Sequence, residues 1–374
     1  RFSHVVFILN HWSIIKIQPA ITKQKGCQTM AILKLQPACR ETIWGGQRLR
    51  KDYHMQYEGA NIAEAWMLSC HPSAPSMIEN GTYSGKTLQQ YLDAEGPQVL
   101  GSFGMLFHPF PILIKLIDAA QPLSIQVHPS NFYAINREHQ YGKTEMWYVL
   151  DADTDACLIY GFAHPVNEDI LRKAVLDKTL DKHLQKIPVR KGDVYYIPAG
   201  TVHGIGAGIL LAEIQQSSNV TYRVYDYDRQ DKDGNKRELH LEKAIKVLNM
   251  DVSQDVSQGI RLINYYPGCS RQIVCRCKYF DVEKVEASIG FDFSVLETSF
   301  QLLMCFDGSG EVWIDNDFGE HWKNDNHRDI MPFSANCYDN SFHINFSKGD
   351  TLFIPASAGR CHLRGKCQLL KVRC

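Results

Sequence analysis

Short apolar runs separated by turn-forming residues dominate the middle of the chain. Residues 112–117, 123–127, 146–150, 157–160, 193–197 and 209–215 are rich in Val, Ile, Leu and Tyr and are bounded by Gly, Pro or Asp, a pattern that predicts strands. Helical spacing, with apolar residues three and four apart, is confined to 87–92, 131–138, 167–176 and 239–248. Asn167 is placed to cap the third of these. Many short strands and few helices predict a mainly β chain folded as a sandwich or as jelly-roll barrels. Barrels of this kind bind ligands in their mouths.

An internal echo predicts two barrels. Lys191-Gly192-Asp193-Val194-Tyr195-Tyr196-Ile197-Pro198-Ala199-Gly200 recurs as Lys348-Gly349-Asp350-Thr351-Leu352-Phe353-Ile354-Pro355-Ala356-Ser357. Lys-Gly-Asp makes a turn, the apolar run a strand, and Pro-Ala closes it. Gly308-Ser309-Gly310-Glu311 reads as the turn that opens the second unit. The expected organisation is an extra segment at 1–29, a catalytic barrel with helical decorations at 30–250, and a degenerate barrel at 251–374. The polar stretch 315–345 reads as a surface loop.

Chemistry concentrates in the first unit. Leu123-Ser124-Ile125-Gln126-Val127-His128-Pro129, Lys143-Thr144-Glu145 and Pro198-Ala199-Gly200-Thr201-Val202-His203 supply two histidines, a carboxylate and an amide oxygen from three strand-like segments. Alternation along a strand projects Ser124, Gln126 and His128 to one side, and Lys143 with Glu145. A lone buried histidine or glutamate is more often a hydrogen-bonded structural residue than a ligand. Together these segments favour a divalent ion held by Gln126, His128, Glu145 and His203, with zinc the first choice and Fe, Mn or Co open. In the second unit Arg360 stands where the first has His203. His362 follows two residues later, but nothing like Gln-Val-His precedes it. The metal site is therefore expected in the N-terminal barrel only.

Composition narrows the partners. Of 374 residues, 40 are basic and 41 acidic, a formal charge of −1, which calls for neither nucleic acid nor an anionic membrane. The length favours two domains. Twelve cysteines are scattered without paired C-x-x-C sets, as expected of reduced, mostly buried thiols in a reducing compartment. The first residues lack an initial Met, and Met30-Ala31-Ile32-Leu33 reads as a natural start. The apolar run Val5-Val6-Phe7-Ile8-Leu9 is far short of the roughly 20 residues needed to span a bilayer.

These motifs make the family recognisable. Leu33-Lys34-Leu35-Gln36-Pro37, Glu41-Thr42-Ile43-Trp44-Gly45-Gly46, residues 111–119, the metal segments, residues 208–218 and Thr221-Tyr222-Arg223-Val224-Tyr225-Asp226-Tyr227-Asp228-Arg229 resemble the compact bacterial mannose-6-phosphate isomerases of the cupin superfamily. The likeness runs from about Met30 to the C-terminus and is strongest to about residue 250. It implies a cytoplasmic aldose–ketose isomerase, a monomer or weak homodimer, with one zinc per chain and a small sugar phosphate as substrate. It also implies that Arg223 belongs to the active site. A guanidinium stays protonated, so Arg223 would bind phosphate or an enediolate oxygen rather than act as base. Lys115 and Ser124 are candidate phosphate contacts. Lys143 with a depressed pKa, Glu213 and a metal-bound water remain open as the base. Two other classes compete: a cupin oxygenase, whose iron takes two histidines and a carboxylate, and a non-catalytic sugar-binding barrel.

Overall fold

A computed structural model describes residues 32–231, 233–253, 262–315 and 343–374. The expected extra segment at 1–29 and nearly all of the 315–345 stretch lie outside the described residues. The chain is mainly β, as its pattern predicts. Three antiparallel sheets carry the structure, and one of them decides where chemistry can sit.

That sheet is six-stranded, in the order Val194–Ile197, Glu145–Ala152, Ile209–Gln216, Ile112–Ala119, Glu64–Leu68, Ala38–Arg40. Every residue of Ile112–Ala119 and Ile209–Gln216 is buried, because the sheet is covered on both faces. On one face Ile112, Ile114, Leu116, Met146, Tyr148, Leu210 and Ile214 pack with Phe300, Leu302, Phe353 and Val372. On the other, Ile117, Trp147, Val149, Ile209 and Leu211 pack with Leu158 and Ile205. Such double burial explains the nearly unbroken apolar runs in an antiparallel sheet that would otherwise show alternation. Each fully buried aliphatic side chain contributes about 1.5–3 kcal/mol.

The second face looks onto a five-stranded sheet ordered Tyr222–Tyr225, Ile125–Val127, His203–Ile205, Cys157–Phe162, Leu184–Pro188. The third, ten-stranded sheet holds the C-terminal strands together with Leu33–Gln36 and Met77–Ile78. Sheet pairing thus crosses the expected boundary at residue 250: Leu33 lies opposite Phe353 and Leu35 opposite Thr351.

The echoed motif folds alike in both copies. Val194–Ile197 and Thr351–Ile354 are strands, each preceded by a left-handed glycine, Gly192 at φ 93° and Gly349 at φ 96°. The reading of 308–311 as a turn is corrected: these residues lie inside the long strand Gln301–Ile314. A Cβ on Gly308 would meet the Lys366 carbonyl oxygen at 2.1 Å, so the glycine permits close strand approach at a bulge. Three helices stand where spacing put them, Leu88–Glu95, Asn131–Glu138 and Glu168–Leu176, and the Asn167 side chain accepts from the Ile170 N–H at 2.8 Å. The fourth shrinks to Leu241–Ile245. Its start is taken by pairing, since the His240 N–H donates to the Arg223 carbonyl at 2.7 Å. Every described cysteine is free. Among the described residues no helix is long and apolar enough to cross a membrane.

Candidate functional site

Strand alternation and register assemble the site. Lys115, Glu213 and Glu145 occupy positions whose neighbours two residues away, Ile117, Leu211 and Trp147, face the five-stranded sheet. Glu213 pairs directly with Lys115, and Gln215 with Glu145. From the facing sheet, Gln126 lies opposite His203 on one side and Arg223 on the other. Directly opposite residues share a face, so three strands bring their polar side chains to one place.

His128, Glu145 and His203 are completely buried, with candidate ligand atoms within 4.8 Å of one another. The His128 Nδ1–H donates to the Val220 carbonyl at 2.9 Å, and the His203 Nδ1–H to the Thr201 carbonyl at 2.9 Å. A carbonyl can only accept, so both rings carry their proton on Nδ1 and leave Nε2 as a lone pair. Such outward hydrogen bonds fix the orientation of metal-binding histidines. The two Nε2 atoms face the same carboxylate: His203 is 3.3 Å from Glu145 Oε1 and His128 is 3.7 Å from Oε2. Both Glu145 oxygens are buried, with Oε2 against the Lys143 ammonium and no hydrogen-bond donor on Oε1 among the described residues. Gln126 Nε2 lies 3.5 Å from His203 Nε2, and a half-turn of the amide presents its oxygen there instead. Buried lone pairs gathered in this way repel each other; the Lys143 ammonium lies against those of Glu145 Oε2 and His128 Nε2, and Glu145 Oε1 is left without a donor among the described residues. The donor set fits a divalent ion.

Charges around this cluster are coupled. Lys143 Nζ lies 2.5 Å from Glu145 Oε2, 3.1 Å from His128 Nε2 and 3.5 Å from Glu213 Oε1. Lys115 Nζ is 3.4 Å from Glu213 Oε1 and 3.7 Å from Glu64 Oε1. The Trp147 indole N–H donates to Glu213 Oε2 at 3.2 Å. Burial and the Lys143 charge push both histidines down, His203 to about 4, so they stay neutral. Burial, then the Glu213 charge, raises Glu145 to about 7. Burial would raise Glu213 as well, but Lys143 and Lys115 outweigh it and hold that carboxyl at about 2. Burial alone would lower Lys143; Glu145 and Glu213 reverse this and raise it.

Beside the cluster opens a cavity of about 290 Å³. Ser124, Gln126, Lys115, Lys143 and Arg223 all line it, so the candidates drawn from separate stretches of sequence share one wall. Arg223 is half-buried; its Nη1 donates to the Glu238 carbonyl at 2.7 Å, and its buried Nε has no partner among the described residues. Glu64, Arg40 and Arg237 line the same cavity and were not anticipated. Alternation with Trp66 could have flagged Glu64. Arg237 sits in a polar run without periodicity, which carries no such signal.

Comparison with known proteins agrees with this geometry. The family model of the phosphomannose isomerase type I catalytic domain matches residues 32–153. A mannose-6-phosphate isomerase of Streptococcus mutans is 45% identical over 218 residues, 58% of this chain and 68% of that protein. The Bacillus subtilis mannose-6-phosphate isomerase ManA is 35% identical over 335 residues, 89% of this chain and 96% of its own. This chain belongs to the mannose-6-phosphate isomerase family. The crystal structure of the mannose 6-phosphate isomerase from Bacillus subtilis superposes with a TM-score of 0.78 at 31% identity, covering 91% of this chain and 99% of that one. A variant phosphomannose isomerase from Salmonella typhimurium, 14% identical with a TM-score of 0.67 over 91% of this chain and 99% of its own, shares the fold.

Proposed function

We propose that this chain interconverts D-mannose 6-phosphate and D-fructose 6-phosphate, with one zinc ion held by Gln126, His128, Glu145 and His203. The observation that carries this reading is the buried set of two Nε2 lone pairs and the Glu145 carboxylate, opening beside a cavity lined by Lys115, Lys143 and Arg223. Two imidazoles, an amide oxygen and one carboxylate suit zinc and leave the ion a net positive charge. Relatives bearing the isomerase name at 35% to 45% identity support the substrate. We place the metal site in the N-terminal barrel alone, with the C-terminal barrel structural.

Aldose–ketose exchange removes a proton next to a carbonyl, passes through an enediolate and returns the proton to the neighbouring carbon. A bound divalent ion supplies Lewis acidity where negative charge develops on the sugar oxygens. The protein surrounds that place with fixed charge that needs no reorganisation during reaction. Lys143 stands against Glu145 and Glu213, placed to meet the substrate as a cation or, once a bound ion shares Glu145, as the base. Glu213 anchors both lysines, with its Oε1 3.4 Å from Lys115 Nζ and 3.5 Å from Lys143 Nζ. Arg223 stands opposite Gln126, where its planar fork can grip an enediolate or phosphate oxygen. A cupin oxygenase would have no need of this ring of cations.

The test is direct. Purified protein is assayed for metal and for fructose 6-phosphate formed from mannose 6-phosphate, before and after chelation and zinc return. Turnover that is lost with the metal and restored with it is the expected result. Absence of turnover by the fully zinc-loaded protein would overturn the reading.

A further inference from the structure

We propose that Arg237, held in place by the buried carboxylate of Asp226, is the principal phosphate anchor of the substrate cavity. The inference rests on the sugar-phosphate reading above and assigns one end of that same cavity. Asp226 is 4% exposed and accepts from two guanidinium groups at once. Arg237 Nε donates to its Oδ2 at 2.8 Å, and Arg237 Nη2 to its Oδ1. Arg229 Nη2 donates to the same Oδ1, while Arg229 Nη1 donates to the Pro122 carbonyl. One carboxylate thus fastens Arg237 to the residue that precedes Leu123 and Ser124, the start of the cavity wall.

The two-pronged contact uses one edge of the Arg237 fork. Its Nη1 amino group has no hydrogen-bond partner among the described residues, yet Arg237 lines the cavity together with Arg223, Ser124 and Lys115. Arg223, tethered through Nη1 to the carbonyl of Glu238, the next residue, also has an unpartnered buried Nε. The Arg237 and Arg229 charges are both close enough to Arg223 to disfavour its own. Three guanidinium groups around one carboxylate leave a net charge of +2, the complement of a phosphate dianion. The Glu238 carboxylate is 83% exposed, where water and salt screen it. Planar donors with unused N–H groups are suited to phosphate oxygens, and a carboxylate behind them fixes the fork before the ligand arrives. Arg223 lies next to Gln126 in register, so it attends the reacting carbons. Arg237, carried on the loop beyond Asp226, attends the far end of the substrate.

The experiment uses the zinc-loaded full chain. Arg237→Met should raise the Michaelis constant for mannose 6-phosphate by about tenfold or more, the loss of a charge-assisted contact, with kcat within about threefold and metal content unchanged. Competitive inhibition by inorganic phosphate should weaken by the same factor. Arg237→Lys should fall between the two, since it keeps the charge but not the fork. Asp226→Asn should shift the Michaelis constant in the same direction without touching the phosphate, and adding it to Arg237→Met should cause little further loss. If Asp226→Asn fails to fold, the two Arg237 variants decide alone. An unchanged Michaelis constant and phosphate inhibition in Arg237→Met would overturn the assignment, as would a loss confined to kcat. Failure of the broader reading is distinguishable, because the wild type would then retain zinc yet not turn over mannose 6-phosphate. Calorimetric titration of wild type and Arg237→Met with inorganic phosphate still reads the anchor in that case, with equal affinities contradicting it.

Discussion

His203 and His362 follow the two copies of one motif, and their surroundings have diverged. Both copies carry the left-handed glycine, the apolar strand and the Pro-Ala ending, and Gly200 and Ser357 both take positive φ, 92° and 65°. After the first, His203 is fully buried, gives its Nδ1 proton to a backbone carbonyl and turns Nε2 toward Glu145. After the second, His362 has Asp292 Oδ1 2.9 Å from Nδ1 and Asp315 Oδ2 3.5 Å from Nε2, and stacks on Trp313. Both of its ring nitrogens face carboxylates, whereas His203 Nε2 shares Glu145 with a second histidine, His128. The scaffold therefore does not make the site. What distinguishes the first copy is a buried pocket, a carbonyl behind each ring, and carboxylates on the neighbouring sheet.

The largest expected effect breaks the first member of this pair. His203→Ala should lose its metal and reduce turnover by well over about 100-fold, since removing even a supporting hydrogen bond around a metal can cost about 10–100-fold. Circular dichroism should show the fold retained, because a neutral ring is removed from beside the carboxylate. Next comes Lys143→Met, which leaves Glu145 and Glu213 buried without the cation between them. Uncompensating a buried charge costs about 3–5 kcal/mol, so denaturant midpoints should fall sharply, and activity with them. A midpoint within error of wild type would show that the carboxylates do not depend on this lysine.

Arg223→Lys sharpens the comparison at the first copy's cavity. It keeps the charge and loses the fork, so one kinetic parameter should change by about tenfold, the worth of one charge-assisted hydrogen bond. A fall in kcat places Arg223 on charge that appears only in the transition state, and a rise in the Michaelis constant places it on the phosphate. No change in either would remove it from the site.

The C-terminal cluster should respond to pH rather than to metal. Burial would raise the Asp292 carboxyl, but hydrogen bonds from His362, Arg364 and Arg360 outweigh it and hold the carboxyl at about 2, below its ordinary 3.8. A depressed folded-state value contributes stability that is fully present above the unfolded value and lost as pH falls through the folded one. Asp292→Asn should therefore lower stability slightly at pH 6, and the difference from wild type should vanish toward pH 2. An equal difference at both pH values would contradict this.

Much of this was legible in the sequence because strand alternation is a strong constraint. Ser124-Ile125-Gln126-Val127-His128 could present its polar residues to one place only if every second residue faced the core, and Ile125 and Val127 do. The helix at 167–176 was legible through its Asn cap. Other features depend on partners distant in the chain. Sequence alone could not show that Gly308 is required by the Lys366 carbonyl across a strand pair. Nor could it show that Leu33–Gln36 would join Thr351–Ile354. The contact of Lys143 with Glu213, seventy residues away in the chain, is likewise invisible in the sequence, and Arg237 reaches the cavity from a loop with no pattern.

The central claim is that one copy of the motif holds metal and the other does not. Metal content per chain, measured on wild type, His203→Ala and His362→Ala purified in parallel, tests it most directly. The account predicts one bound ion in wild type and in His362→Ala, with turnover essentially equal, and none in His203→Ala. Full metal content in His203→Ala, or its loss together with activity in a folded His362→Ala, would contradict the account.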